Sequence, residues 1–444
     1  MSTQPAALPL TSDAPAYSAA RGWWMVAVFC LAGFVSYTDR LILSALVDPL
    51  RADLGISDAQ VSLLQGFAFV LIYVLAGLPL GRMADRGRRR SLLLFGAVTW
   101  CLGTAYCGLA PGFWSLFAGR LIVGIGEAAL APAAISMLAD AIPAQRRGTA
   151  VGIFMMGMVV GGPAAIGIGG ILLGATQAGT LSSVPLLAGL APWRVVLLLV
   201  GIAGLIVPLL FLTLREPVRT GASGQSMRLS QVIAYFMRHW RLFVPLYLGM
   251  ALLSIGDYGL LSWVPTSFSR RFAWPPERIG VLIGTITALA GVSGTVAAGL
   301  LSDAAARRGG TRARLRIVIA GAATAAFSAA LVSMDHPGVV LAGLGLWTFA
   351  SAVGAIGSIA ALQEMVPNEL RGIGMSILAF CNTLLGLGCG PTAVALITEG
   401  VFDDPAAVGL AVSLVVVPAG AIACLLFTLL LSRLKGWNPT GHHE

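Results

Sequence analysis

Long apolar stretches, each close to the roughly 20 residues that cross a bilayer as a helix, alternate along this chain with short polar segments. They fall near residues 23–47, 59–80, 91–110, 113–138, 149–173, 193–214, 243–268, 279–300, 316–334, 339–363, 373–398 and 406–432. The pattern predicts an all-α membrane protein of twelve transmembrane helices. Two stretches break their own rule. The first reads Ser36-Tyr37-Thr38-Asp39-Arg40-Leu41 near its far end, and the fourth carries Arg120 and Glu127. A charge at the centre of a membrane helix costs about 2.5–3.5 kcal/mol on insertion scales, so such residues are expected to hold partners and to carry function. The alternative is that Asp39 and Arg40 cap a shorter helix at the headgroups, snorkelling outward.

Composition agrees with the pattern: 57% of the 444 residues are hydrophobic and 11% charged, with a mean hydropathy of +0.88, which excludes a soluble domain of this length. Charge then sets orientation. Arg21, the segments 81–90, 146–147, 215–241 and 307–316, Arg371 and the tail place twenty-one basic residues on one side. Arg51, Arg194, Arg270, Arg271 and Arg278 place five on the other. Short cytoplasmic loops retain Lys and Arg, so both termini are expected in the cytoplasm of a plasma membrane, a bacterial inner membrane fitting best. The net charge of +9 is then a topology and lipid-surface signal, and nucleic acid is not expected as a partner. Cys30, Cys101, Cys107, Cys381, Cys389 and Cys424 lie inside apolar runs without C-x-x-C spacing, and His239, His336, His442 and His443 fall in loops or the tail. Neither type suggests a metal, and a proton relay must use carboxyl groups. Lys435 is the only lysine and follows Leu434, so no phosphate-binding Gly-Lys-Ser/Thr loop can be written. No cofactor, ATP motor or catalytic cluster is expected.

The chain repeats itself. Gly81-Arg82-Met83-Ala84-Asp85 after the second span matches Gly299-Leu300-Leu301-Ser302-Asp303 after the eighth, and each precedes an Arg cluster that includes Arg86 and Arg89 in the first copy. Asp140-x-x-Pro143-x-x-x-Arg147 after the fourth span matches Glu364-x-x-Pro367-x-x-x-Arg371 after the tenth. These loops are expected to gate the cytoplasmic face: Gly lets helix ends approach, and the acid sits between a neighbouring helix end and the Arg cluster as a latch. The resulting division is a disordered tail 1–20, a six-helix half 21–214, a linker 215–241, a second half 242–434 and a tail 435–444, with substrate between the halves. Pro163 and Pro391 are expected to bend the fifth and eleventh spans.

Twelve spans in two parallel repeats and the Gly81-x-x-x-Asp85-Arg86-x-Arg88-Arg89 loop with its degenerate copy resemble the major facilitator superfamily over residues 20–435. Within it, Tyr37-x-Asp39-Arg40, Arg120-x-x-x-Gly124-x-Gly126-Glu127-Ala128 and Trp263-x-Pro265 resemble the spinster-like transporters. The Asp-Arg and Gly-x-Gly-Glu marks are also similar to the organic anion:proton symporters of the hexuronate and galactonate type. The first resemblance implies export of amphipathic lysolipids or sphingoid phosphates, the second uptake of small carboxylates with protons.

At about 1.5 Å per residue, Asp39 lies roughly 12 Å and Arg120 roughly 10 Å from the outer surface, so the two are expected to pair. Glu127 lies two turns beyond Arg120 and is expected without a basic partner on its own turn, as the principal proton carrier with Asp39. Arg40 points about 100° from Asp39 and is free for a substrate anion or for Glu127. Asp257, 218 residues after Asp39, has Tyr258 as its neighbour in place of an Arg and is the third candidate for proton coupling. Tyr37 and Tyr258 join Arg40 and Arg120 as candidate substrate or gating residues. The sequence therefore predicts a monomeric proton-coupled secondary transporter of a small amphipathic or anionic substrate. An uncoupled transceptor or scramblase-like protein is the alternative of another class.

Overall fold

The computed structural model describes residues 18–180, 184, 185, 187, 189–219, 229–367 and 370–434. The stretches 1–17 and 435–444 of the expected tails and 220–228 of the expected linker lie outside the described residues. Among the described residues, eleven helices are long and apolar enough to cross a membrane. One of them, Pro276–Ala330, counts 55 residues and turns at Gly309 and Gly310, the latter at φ 56. At 1.5 Å per residue it is about 80 Å long, which is two crossings, and the total is twelve. Spans 1–6 form one half and spans 7–12 the other. The end of the molecule holding Arg89, Arg147, Glu216 and Arg433 is called the linker end below, and the opposite one the distal end.

Several spans are not the continuous helices that the apolar pattern predicts. Span 1 starts at Ala19, capped by the Ser18 hydroxyl, and its α-helix stops at Leu41; a 3-10 turn, Ile42–Ala45, and a separate helix, Val47–Leu54, follow. Span 2 opens with a Ser57/Gln60 capping box at Asp58–Ser62, widens into a π-turn at Leu63–Phe67 and continues as Ala68–Arg86. Span 4 divides at Ala129 into Phe113–Ala128 and Leu130–Ala141. Span 11 carries a π-turn at Asn382–Leu387 before Gly388–Ile397. Pro391 in that segment has no N–H to give the Leu387 carbonyl, which accounts for the widened turn. Each break frees backbone groups that need partners, and these breaks surround the charged residues.

Small residues bring the halves together at the distal end. A Cβ on Gly280 of span 8 would lie 2.9 Å from the Gly167 carbonyl oxygen of span 5. Gly66, in the π-turn of span 2, packs directly against the Leu387 carbonyl of span 11. Among the described residues, the inter-half ion pairs also lie at this end. Arg270, near the end of span 7, is bidentate to Asp58 at 2.7 and 2.8 Å and reaches Asp48 at 2.9 Å. The Glu399 carboxylate accepts from the Asp58 and Ala59 amides at the N-terminus of span 2, at 2.5 and 3.2 Å. Asp58 is fully buried. The molecule is closed distally by these contacts.

The linker-end loops hold each half together internally. Arg89, buried, pairs with Asp140, with Glu216 at 3.2 Å and with the Pro217 carbonyl at 2.8 Å. In the second half Arg314 pairs with Glu364, which also accepts from Thr311 at 2.6 Å. The two pairs are related by the sequence repeat, since Glu364 is the counterpart of Asp140. Arg147 and Arg371 donate to the Ile142 and Gln363 carbonyls. Asp85, Arg86 and Asp303 are exposed, and a Cβ at Gly81 or Gly299 would meet nothing within 4 Å. The close helix approach expected at these glycines is therefore absent while the linker end stands apart. The expected linker also contains a helix, Leu229–Arg238.

Candidate functional site

The charged cluster is assembled by the turn where span 1 breaks. Asp39 and Arg40 occupy the last α-helical turn and are 2% and 5% exposed, so headgroup snorkelling is not their arrangement. Neighbours on a helix face about 100° apart, and the two side chains go to different spans. Asp39 turns to span 3, where the Thr104 hydroxyl donates to its carboxylate at 2.5–2.6 Å. Arg40 turns to spans 2 and 4, its guanidinium against the rings of Tyr37 and Phe69 at 4.5 Å and Tyr73 at 5.2 Å.

Arg40 also reaches Glu127, donating from Nε at 3.0 Å and Nη2 at 2.6 Å to a single oxygen, Oε2. Helical side chains lean toward their own N-terminus, so Arg40 extends from the helix end toward the linker end and covers the depth separating it from Glu127. Of the two partners open to Arg40 in the sequence, a substrate anion and Glu127, the structure pairs it with Glu127, whose basic partner thus comes from another helix rather than from its own turn. Ser36 Oγ donates to the same Oε2 at 2.9 Å, whereas Oε1 is buried with no hydrogen-bond partner.

Arg120 does not form the expected ion pair with Asp39. On span 4, which runs in the opposite direction, its side chain leans distally, and it donates from Nε to the Leu64 carbonyl at 3.1 Å and from Nη2 to the Arg40 carbonyl at 3.0 Å. Those carbonyls belong to the π-turn of span 2 and the terminal turn of span 1, so Arg120 stitches two helix breaks together. Gln65, in the same π-turn, is 3% exposed with neither amide atom bonded.

Across the interface, Asp257 of span 7 is held by span 10: Trp347 Nε1 donates to Oδ1 at 2.8 Å and Ser351 Oγ to Oδ2 at 2.9 Å. Tyr258 beside it packs against the hydrophobic core of the first half. Ser36, Thr104, Gln65 and the distal set Asp48, Asp58, Arg270 and Glu399 were not expected from the sequence. The visible signal was limited to the capping box at Ser57 and Gln60, which marks the start of a helix and hence where carboxylates gather. Among the described residues, no group of three or more His, Cys, Asp or Glu side chains could hold a metal ion.

Residues 29–391 match the family model described as Major Facilitator Superfamily. The chain is 26% identical over 444 residues to an "MFS-type efflux pump" of Mycolicibacterium smegmatis, covering 96% of each protein. It is also 26% identical to the "Probable galactarate/D-glucarate transporter GudP" of Bacillus subtilis, over 92% of this chain and 91% of that one. Among solved structures, a bacterial homologue of the human lysosomal transporter spinster, inward-facing and unoccupied, superposes with a TM-score of 0.78 at 25% identity, covering 95% of this chain and all of that one.

Proposed function

This chain belongs to the Major Facilitator Superfamily, a family of membrane transporters, and from that premise we propose that it is a proton-coupled secondary transporter of an amphipathic anionic substrate such as a lysolipid or sphingoid phosphate. It works as a monomer by rocker-switch alternating access, with both termini and the linker end in the cytoplasm of a bacterial inner membrane. The observation that carries this reading is the buried Arg40–Glu127 pair with Glu127 Oε1 left bare.

A bare carboxylate oxygen in a closed apolar surrounding is the natural landing place for a proton. Protonation at Oε1 removes the charge that holds Arg40, and the guanidinium becomes available to a substrate anion. Anion arrival at Arg40 and proton uptake at Glu127 then favour one another, a reciprocal coupling through one shared residue. Asp39, whose carboxylate is held by Thr104, is the second proton site on the adjoining face. Arg120 keeps the two helix breaks in register so that both sites stay in place. Rocking exchanges the distal latch for contacts of Asp85, Asp303 and their Arg neighbours at the linker end.

Similarity over most of its length to a sugar-acid transporter favours a second reading, symport of small organic anions through the same Arg40–Glu127 device. A thermal-shift screen of the purified protein against lysolipids, sphingoid phosphates and sugar acids separates the two, because a ligand at about 100 times its Kd stabilises by about 2.7 kcal/mol. Stabilisation by sugar acids alone would replace the first reading with the second. Transport that survives collapse of the pH gradient would point to an uncoupled transceptor or scramblase-like protein.

A further inference from the structure

Between the charged rims at its two ends, the bundle carries three carboxyl groups, Asp39, Glu127 and Asp257, but two guanidinium groups, Arg40 and Arg120. The unbalanced acid is on the second half. Asp39, Glu127 and both arginines are interlocked within spans 1–4, whereas Asp257 lies near the middle of span 7, Trp240–Phe272, with no ion pair among the described residues. Both its oxygens are oriented by neutral donors, which fix the carboxylate without discharging it.

The holder is built for that purpose. Gly256 has no Cβ, and the Trp347 indole fills the space that a Cβ would take, which brings its N–H to Asp257. Ser351, one helical turn along span 10, supplies the second donor. Trp347 and Ser351 are 1% and 2% exposed, while Asp257 itself is only half-buried. Its open side belongs to the wall between the halves, since Tyr258 and Leu261 on the same stretch of span 7 pack against the first half's core. A carboxylate held rigidly by neutral hydrogen bonds, open to the inter-half space and lacking a protein cation, is matched by a cation carried in from outside.

We propose that Asp257 binds a positively charged group of the transported molecule, an ammonium being the group best suited to the carboxylate. This deepens the reading above by assigning the anionic group to Arg40 on the first half and the cationic group to Asp257 on the second. A substrate bridging both would be gripped by each half and would sense their relative motion. The anionic part rests on that reading; the cation preference does not.

The test measures binding to the full-length protein in lipid nanodiscs, with empty discs subtracted, using two matched pairs of probes. Lysophosphatidylethanolamine and lysophosphatidylglycerol share a chain and a phosphate and differ in the ammonium. Tetraphenylphosphonium and tetraphenylborate share a shape and differ in sign. Wild type is expected to prefer the ammonium lysolipid and the phosphonium by about tenfold or more. Asp257→Asn is expected to abolish both preferences while lysophosphatidylglycerol binding changes less than about twofold. Ser351→Ala, which keeps the charge and removes one orienting bond, should weaken the preference by a smaller factor, and thermal unfolding verifies that both variants are folded. A preference that survives in Asp257→Asn, no preference in wild type, or displacement of phosphonium by millimolar sodium alone overturns the proposal. If neither lysolipid binds but the phosphonium preference depends on Asp257, the proposal stands and the anionic-amphiphile reading falls.

Discussion

Arg270→Gln is expected to open the distal end. In the wild type the guanidinium makes two bonds of 2.7 and 2.8 Å to Asp58 and one of 2.9 Å to Asp48, and it also reaches the Pro405 carbonyl at 3.2 Å. Removing one partner of a buried ion pair costs about 3–5 kcal/mol, because the other charge stays behind. Asp58 keeps Arg51 at 3.0 Å, and glutamine restores one neutral hydrogen bond, so a cost of about 2–3 kcal/mol for the distally closed state is reasonable. That state alone bears the cost, since the latch is broken once the halves rock apart. Its population relative to the distally open state should then fall about 30- to 150-fold. Spin labels at positions 52 and 404, in a background without the six native cysteines, report the distal separation by pulsed dipolar spectroscopy. The variant should populate a longer distance much more heavily than wild type does. An unchanged distance distribution in a folded Arg270→Gln protein would refute the latch.

Four further outcomes follow from the same geometry. Gly66→Ala would drive a methyl group into the Leu387 carbonyl, so the distally closed form should be disfavoured and the same label pair should lengthen. Arg120→Lys keeps the charge but cannot serve both carbonyls now held at 3.0 and 3.1 Å; it should lose about 1.5–3 kcal/mol in thermal unfolding, and unchanged stability would return Arg120 to the role of an anion ligand. A cysteine at residue 225 should be shielded from impermeant thiol reagents in intact cells while one at residue 180 reacts, and equal labelling would overturn the orientation. Glu127→Gln should retain exchange of substrate between equal pools, because a neutral amide resembles the protonated acid and leaves Arg40 free.

The parts of this molecule that depend on a single helix's composition were legible in its sequence, and those that depend on helix breaks were not. Asp39, Arg40, Arg120 and Glu127 announced themselves because charge in an apolar run is costly wherever it sits. Their pairing was legible only in part: Glu127 was one of two partners open to Arg40, whereas Arg120 was expected on Asp39. Spans 1 and 4 taken as rods with side chains pointing straight outward would set Asp39 against Arg120. The lean of each side chain toward its own helix N-terminus sends Arg40 to Glu127 and Arg120 to the carbonyls freed at Leu64 and Arg40 instead. Backbone acceptors exposed by a π-turn leave no mark in the sequence. The distal latch was hidden by separation, since Asp58 lies 212 residues from Arg270 and 341 from Glu399, and each looked like an ordinary loop charge. The linker-end loops were found through their repeat, and the Asp140 and Glu364 counterparts both pair with arginine. Nothing in the sequence distinguishes Arg314, the partner of Glu364, from its neighbours Arg312 and Arg316.

The central claim is that a proton bound at Glu127 drives movement of the substrate. Its most direct test uses proteoliposomes with the ligand selected by the thermal-shift screen, an imposed pH difference of about two units, and a readout of accumulation or expulsion against the ligand's own gradient. Wild type should transport uphill and stop when a protonophore collapses the pH difference, and Glu127→Gln should not transport uphill at all while still exchanging ligand at equilibrium. Uphill transport by Glu127→Gln under the imposed pH difference would contradict the account.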